Sequence, residues 1–466
     1  IVLLDEQMPG KDGLTTLEEI KQITPDLPVV MVTKSEEEQL MEAAIGKKID
    51  GYLTKPVNPS QILLVCKNLL DAKSLVSAQM KQRFIRSYSE NRTTLADSLS
   101  TVEWLRMYEK MVKWDLELDR VDDEGLRQTH TGQRSDCNRL FSNFVMENYG
   151  TCVKGNAGAP VLGHQALDRH VIPLLKNGQK VILFVLSGMR LDQYIIFEQL
   201  LRELYSVKRH YFYSILPTVS SFTRNSFFAG KLPSEMVARY PQLLGADNNL
   251  LLDSEEMLLA DKLKECGLGT ADPLLFIKGI SGTETKSILK KIKNTSSLLV
   301  PVVLDINNFL LDNASGMIQD LTNDESGLRE LTKSWFLRSA VFTMLKEFAG
   351  GNHTIILTSD HGTTFCSRGT ELYGVETEGK NLRYCIGKDI STDERNAIFL
   401  DDPTHFGLPV FNDGSSIIIA KENYYFVPPD KFEFYRKHYK TTFQDGGISM
   451  DEIIMPVGIL TGRETV

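Results

Sequence analysis

The sequence predicts an α/β protein interrupted by an all-helical stretch: a small doubly wound sheet, a helical connector, then a large α/β domain. Three observations predict it. Short apolar runs alternate with helical periodicity over residues 1–75. Strand-like runs then vanish over 76–175, where amphipathic helices follow one another. From 176 onward buried strands return, spaced by long helical segments, as in a mostly parallel sheet.

In the first section Ile1–Asp5, Leu27–Thr33 and Asp50–Pro56 read as strands. Leu14 to Ile20 and Glu36 to Ile45 carry helical periodicity, and Pro59-Ser60 opens a helix running through Leu70. In the middle section Met80 to Tyr88, Leu95 to Leu118 and Arg139 to Tyr149 read as helices, with Thr101–Tyr108 strongly amphipathic. Gly150 to Pro160 reads as a loop. The apolar stripes of this connector are expected to form core or a dimer seam. In the last section Val181–Leu186, Tyr211–Leu216, Leu298–Leu304, His353–Thr358 and Ser415–Ala420 read as strands, and Asp192–Val207 and Leu328–Phe348 as helices.

Composition narrows the function classes. Apolar content of 42% and charged content of 24% over 466 residues are those of a globular protein of two or three domains. A net charge of -9 disfavours non-specific nucleic-acid binding. The cysteines Cys66, Cys137, Cys152, Cys266, Cys366 and Cys385 form no CxxC pair, so neither a zinc finger nor a disulfide framework is indicated. No apolar run approaches the length of a membrane span, and a cytoplasmic location without membrane insertion is the expectation.

Chemistry gathers first at the N-terminal strand ends. Asp5 closes an apolar strand before Met8-Pro9-Gly10, Thr33 closes the second strand, and Lys55-Pro56 closes the third. A carboxylate, a hydroxyl and an ammonium at three strand ends can meet above one sheet edge. The carboxylate can attack a phosphoryl donor, the lysine balance charge, and the hydroxyl sense the added group. Any one of them alone is an ordinary βα-turn residue; the ordered set is far more specific.

That set resembles the receiver domain of bacterial response regulators. The resemblance implies that Asp5 is the phosphoacceptor, that Thr33 and Lys55 are the switch residues, and that Mg2+ serves the receiver. Receivers begin with two further strands and a magnesium-binding acidic pair, neither of which is in this sequence. A sheet entered at its third strand has raw edges and little core, so about 50 more residues are expected in front of it.

The second concentration of chemistry lies in the large domain. Leu216-Pro217-Thr218 follows a strand, with Ser220, Ser221 and Thr223 close behind. A threonine there can present its hydroxyl while helix N–H groups face a phosphate, although N-capping is its commoner role. Thr358-Ser359-Asp360-His361-Gly362-Thr363 follows another strand, and adjacent Asp and His before a glycine suit a metal at a strand end. With Arg224-Asn225, Trp335-Phe336, Asn381–Tyr384 and Thr442–Ser449, these segments resemble the PglZ domain of the alkaline phosphatase superfamily. The order of receiver, connector and PglZ domain resembles the PorX-like response regulators of type IX secretion. The expected boundaries are 1–75, 76–175 and 176–466.

The resemblance implies a zinc-dependent phosphodiesterase that dimerises on receiver phosphorylation and works with a sensor histidine kinase and, in some members, a sigma factor. By it, Thr218 matches the catalytic threonine, and Asp360 and His361 match metal ligands. Elsewhere the ligand pattern departs. Ser187 stands where the first strand should end in Asp; an Asp-x-x-x-His pair falls on Asn308 and Asp312, with Asp305 as the alternative acid; and the last His falls on Asp445. Serine and asparagine are weak zinc ligands, and added carboxylates favour harder ions, so zinc or another divalent metal remains open. His164, His170 and His405 are candidate substitutes, each more commonly a packing or surface residue. Arg190 and Arg224 are candidates for a substrate phosphate, with a structural salt bridge as the ordinary alternative.

Three readings follow. In the first, the PglZ-like domain has a degenerate metal site and is a binding or docking output of the regulator. In the second, it is a working phosphodiesterase on a nucleotide or oligonucleotide, with altered metals. In the third, the chain is a structural dimerisation protein. No DNA-binding motif is present, so direct promoter contact is not expected.

Overall fold

The computed structural model describes residues 1–25, 27–34, 49–156, 158–245, 249–269, 274–280, 283–306, 324–374, 382–400, 402–411 and 415–463, without the side chains of 70–77, 431 and 438. The helix expected over Glu36–Ile45 lies outside them, as do Asn308 and Asp312. The chain divides into two compact units, Ile1–Arg92 and Thr93–Val466.

In the first unit the strands Val2–Asp5, Val29–Thr33 and Gly51–Thr54 form a parallel sheet in that order. Leu4, Val29 and Met31 bury one another beside Leu17 of the helix Gly13–Ile23. Asp12 caps that helix, accepting the Thr15 N–H at 2.7 Å. The register sets Asp5 opposite Val32 and Thr33 opposite Thr54, which brings the three strand ends to one edge. The two helices expected over 59–70 and 80–88 are one continuous helix, Pro59–Thr94, which crosses the boundary expected at residue 75.

The second unit joins the connector to the large domain in one hydrophobic core, running from Leu99, Trp104 and Phe141 to Phe184, Ile355 and Ile454. The connector helices are Thr101–Leu118 and Glu124–Val153. The first starts later than Leu95, because Ser100 and Glu103 form a reciprocal capping box. The second continues past Gly150, whose missing Cβ leaves room for His405.

The central sheet has six strands in the order Tyr205–Tyr213, Ile454–Gly462, His353–Thr358, Lys180–Ser187, Leu299–Asp305 and Ile277–Lys278. The strand Ile454–Gly462 is antiparallel to both its neighbours, and the remaining pairings are parallel. The expected helix over Asp192–Val207 ends at Leu201, and its last residues enter the strand Tyr205–Tyr213. Ser339 caps a second helix and so divides Leu328–Phe348 into Glu325–Arg338 and Ala340–Phe348. The strand Ser416–Ala420 belongs to a separate three-stranded antiparallel sheet. With this topology Ser187, Asp305, Asp360 and Thr218 all follow or end strands at the same edge of the central sheet.

Candidate functional site

At the N-terminal sheet edge Lys55 Nζ donates to Asp5 Oδ2, and the Gln7 N–H donates to Asp5 Oδ1 at 3.2 Å. The Lys55 hydrogen bond, then that of Gln7, holds the Asp5 carboxyl below its ordinary value. An ionised oxygen at an exposed strand end is what a phosphoryl acceptor needs. Thr33 is buried, and its hydroxyl donates to the Glu6 carboxylate. The Lys55-Pro56 peptide is cis. Both Asp5 oxygens and one Glu6 oxygen thus accept hydrogen bonds from protein donors.

At the edge of the central sheet Thr218 is buried directly after the cis Leu216-Pro217 peptide. Its hydroxyl donates to Gly447 O at 2.8 Å and accepts the Gly446 N–H at 3.1 Å. Thr218 is therefore fastened to the turn that follows Asp445. Asp360 and His361 follow the neighbouring strand His353–Thr358. His361 Nδ1 lies 3.0 Å from Asp360 Oδ2, and Nε2 lies 3.0 Å from Asp445 Oδ2. Thr223 donates to Asp360 Oδ2 at 2.7 Å. Ser187 Oγ lies 3.0 Å from Ser220 Oγ.

The electrostatics follow from this packing. Burial opposes charge on His361, but the Asp360 carboxylate outweighs it, with Asp445 adding to the effect, and pushes the imidazole up to about 10. Burial likewise opposes ionisation of Asp360, yet the His361 imidazolium holds that carboxyl well below the usual range. The pair is a buried ion pair, with Asp445 as the second acceptor.

The turn after Asp445 is held from behind. Gly446 adopts a φ of 107°, a conformation that favours glycine. A Cβ on Gly447 would lie 2.0 Å from Arg383 Nη2. Glu452 accepts the Gly447 N–H at 2.8 Å and pairs with Arg383 at 2.7 Å, all within the core. Gly362 is required as well, since its Cβ would meet Asp451 O at 1.9 Å.

The structure thus brings Thr218, Asp360, His361 and Asp445 together, and sets Asp305 opposite Ser187 on the adjoining strand pair. It separates the two arginines. Arg190 is fully buried and pairs with Asp192, Glu325 and Asp451, so the salt bridge, and not a substrate phosphate, is what its guanidinium serves. Arg224 donates to Glu255 at 2.9 Å, and its charge reaches Asp360. The substitute histidines lie on other elements. His405 packs on Phe406 and against Gly150. His170 lies beside His210, and burial first, then His210, pushes it down to about 4. Burial also takes His164 down to about 4. Glu452 carried no motif in the sequence; only the Gly446-Gly447 pair hinted that something had to hold that turn.

Among the described residues no group of three or more His, Cys, Asp or Glu converges as a metal site. Zinc needs a neutral ring nitrogen with its lone pair free. Both nitrogens of His361 face carboxylates instead, and Ser187 offers only a hydroxyl. The described donors do not fit a two-zinc centre.

Comparison with known proteins decides the family. The family described as the BREX system PglZ alkaline phosphatase-like domain matches residues 166–459, well over half of the chain. The chain belongs to the PglZ alkaline phosphatase-like family. The PorX response regulator linker domain matches 74–153 ahead of the PglZ domain, and the response regulator receiver domain matches 1–67. The whole has the PorX-like order of receiver, linker and PglZ domain.

Among curated proteins, the chain is 27% identical over 116 residues to the cyclic di-GMP phosphodiesterase response regulator RpfG of Xanthomonas campestris pv. campestris, covering 22% of this chain and 31% of that one. It is 40% identical over 72 residues to the transcriptional regulatory protein BaeR of Escherichia coli, covering 15% and 29%. The chain therefore spans about a third or less of these relatives. Among solved structures, human ectonucleotide pyrophosphatase/phosphodiesterase 5 covers 61% of this chain and 88% of its own, at 13% identity and a TM-score of 0.36. No helix among the described residues is long and apolar enough to cross a membrane.

Proposed function

We propose that this chain is a two-component response regulator, phosphorylated on Asp5, whose PglZ domain is a binding output with a degenerate metal site. The observation that carries the proposal is His361 held between two carboxylates, with Ser187 at the strand end where the family's resemblance calls for an acid.

In the receiver, an Asp5 oxygen forms a bond to phosphorus as the P–N bond of a sensor kinase's phosphohistidine breaks. Lys55 donates to one of the two Asp5 oxygens, which supports its role in balancing the phosphoryl charge. The new charge competes with Glu6 for the Thr33 hydroxyl, so Thr33 moves toward the phosphate and the surface beyond it repacks. That repacking favours a homodimer. In the PglZ domain the site takes the phosphate of a nucleotide or oligonucleotide. The helix Ser220–Ala229 has Val219 as its N-cap and no side-chain cap, which leaves first-turn N–H groups to a ligand or to water. Arg224 adds a positive charge beside Asp360. Signalling then passes through protein partners, a sigma factor among them, toward type IX secretion-like processes in the cytoplasm.

A second reading, a metal-dependent phosphodiesterase with Thr218 as nucleophile, keeps one observation: the Thr218 hydroxyl is held at the strand edge beside the Asp445 turn. Elemental analysis of protein purified without chelators, with turnover of bis(p-nitrophenyl) phosphate, separates the two. The binding reading expects no tight stoichiometric metal and no turnover. About two tightly held zinc ions per chain, with turnover lost in Thr218→Ala, would replace it with the enzyme. For the receiver, acetyl phosphate with Mg2+ is expected to add one phosphoryl group to a longer form that carries the receiver's magnesium-binding acidic pair, and none to its Asp5→Asn variant, read by intact mass.

A further inference from the structure

The helix Glu124–Val153 belongs to the connector, yet it reaches both loops of the PglZ site. Tyr149 Oη accepts the Leu216 N–H at 2.9 Å, two residues before Thr218. Asn138 Oδ1 accepts the Met450 N–H at 2.9 Å, and the Ser142 hydroxyl donates to Ile448 O at 3.1 Å. One turn earlier Arg134 pairs with Asp451 at 2.5 Å, and Tyr108 of the preceding helix donates to the same carboxylate at 2.8 Å.

The contacts at 134, 138, 142 and 149 fall on one helical stripe (steps of four, four and seven). Three of them land on the segment that follows the Gly446-Gly447 turn, and the fourth lands on the Thr218 loop. Those two loops are themselves joined by the Thr218 hydroxyl. Both ends of that bond are therefore referenced to one rigid helix. Tyr149 is fixed in turn, stacked on Phe406 with ring centroids 5.5 Å apart. Tyr149, Asn138, Ser142 and the loop residues they hold are buried, so each backbone N–H would pay a desolvation penalty if its acceptor left.

We infer that Tyr149 and Asn138 are positioning residues for the PglZ site: the connector helix sets the distance between the Thr218 loop and the Asp445 turn. This deepens the binding reading above and rests on it. It also gives the connector a direct hold on the output site, so that a shift of the helix moves both loops together.

The test uses the whole chain with Tyr149→Phe, which removes the acceptor and keeps the stacked ring, and Asn138→Leu, which removes the acceptor at similar volume. Thr131→Val, on the exposed face of the same helix, is the control. Two quantities are read: amide hydrogen exchange of peptides covering 214–219 and 446–451, and affinity for inorganic phosphate by calorimetry. Each of the two variants is expected to speed exchange in the loop it holds at least tenfold and to weaken phosphate about tenfold, while the melting transition stays cooperative and the control matches the wild type. Unchanged exchange overturns the inference. Faster exchange with wild-type phosphate affinity overturns it too, because the contacts would then be structural only. If the wild type binds no phosphate, the ligand assignment of the binding reading falls, and loop exchange alone decides the positioning role.

Discussion

At the residue scale the two arginines near the site differ in their partners, Arg190 lying in a buried charge network and Arg224 pairing with Glu255. Arg190 and Arg224 both follow strand-to-helix turns near the site, and nothing local distinguishes them. The structure does, because Arg190 pairs not only with the nearby Asp192 but with Glu325 and Asp451, more than a hundred residues away, whereas Arg224 pairs with Glu255. Removing Arg190 takes one guanidinium from Asp192, Glu325 and Asp451, which keep only Arg329 or Arg134, a loss of about 3 kcal/mol. Arg190→Ala is therefore expected to lower the denaturant midpoint strongly, and Arg224→Ala to lower it less, because buried Glu255 keeps Lys278, while weakening phosphate binding. Equal midpoints for the two would show that Arg190 is not the structural member. The receiver residues were legible for the opposite reason. Asp5, Thr33 and Lys55 each end an apolar run, so strand period and topology alone carry them to one edge.

At the element scale one strand of the central sheet carries no strand signal of its own, because a tertiary contact overrides local propensity there. Ile454–Gly462 is a central strand of nine residues, yet it contains Pro456 and Gly458, which speak against a sheet interior. Gly458 has its explanation in packing, since a Cβ there would lie 2.2 Å from Tyr194 Oη. The strand is admitted because a tyrosine on the covering helix needs the space. Gly458→Ala is expected to cost about 1–3 kcal/mol through overpacking. In a Tyr194→Phe background, where the hydroxyl is gone, the same substitution is expected to cost clearly less. A double-mutant cycle by urea denaturation measures the difference, and strict additivity would place the cause of the glycine elsewhere. The helix break at Ser100 was, by contrast, readable in principle: Ser100-Thr101-Val102-Glu103 is a capping-box pattern directly before the amphipathic run.

At the scale of the whole molecule the connector and the PglZ domain share a buried charge network. Arg134, on a connector helix, meets Asp115, Glu325 and Asp451, while Arg329 meets Asp119 and Asp192. Desolvation opposes ionisation of Glu325, but Arg134 and then Arg190 outweigh it and take the carboxyl from 4.5 down to about 2. A depressed folded-state value contributes stability above the ordinary carboxylate pKa, and that contribution is lost as pH falls from about 4.5 toward 2. Glu325→Gln is expected to flatten the stability profile in that window; a profile as steep as the wild type's would assign the acid sensitivity to other carboxylates.

The same network bears on where the chain can be cut. The return of strands at 176 placed a boundary there, with the helices before it read as a connector. Physically those helices are half a core. Trp104, Tyr108 and Phe141 bury against the sheet domain, and Tyr108 and Arg134 end on Asp451. A fragment starting at 176 would expose that apolar face and strand Asp451 without Arg134 and Tyr108, and Glu325 without Arg134. A fragment starting at Thr93 keeps the whole of the second compact unit. Residues 93–466 are therefore expected to give a soluble monomer with one cooperative thermal transition and wild-type phosphate affinity. Residues 176–466 are expected to aggregate or to bind a hydrophobic dye without a transition. A cooperative melt for the shorter fragment would mean that the connector docks onto a finished domain, and that its contacts with the Thr218 loop and the Asp445 turn form only after the site has folded.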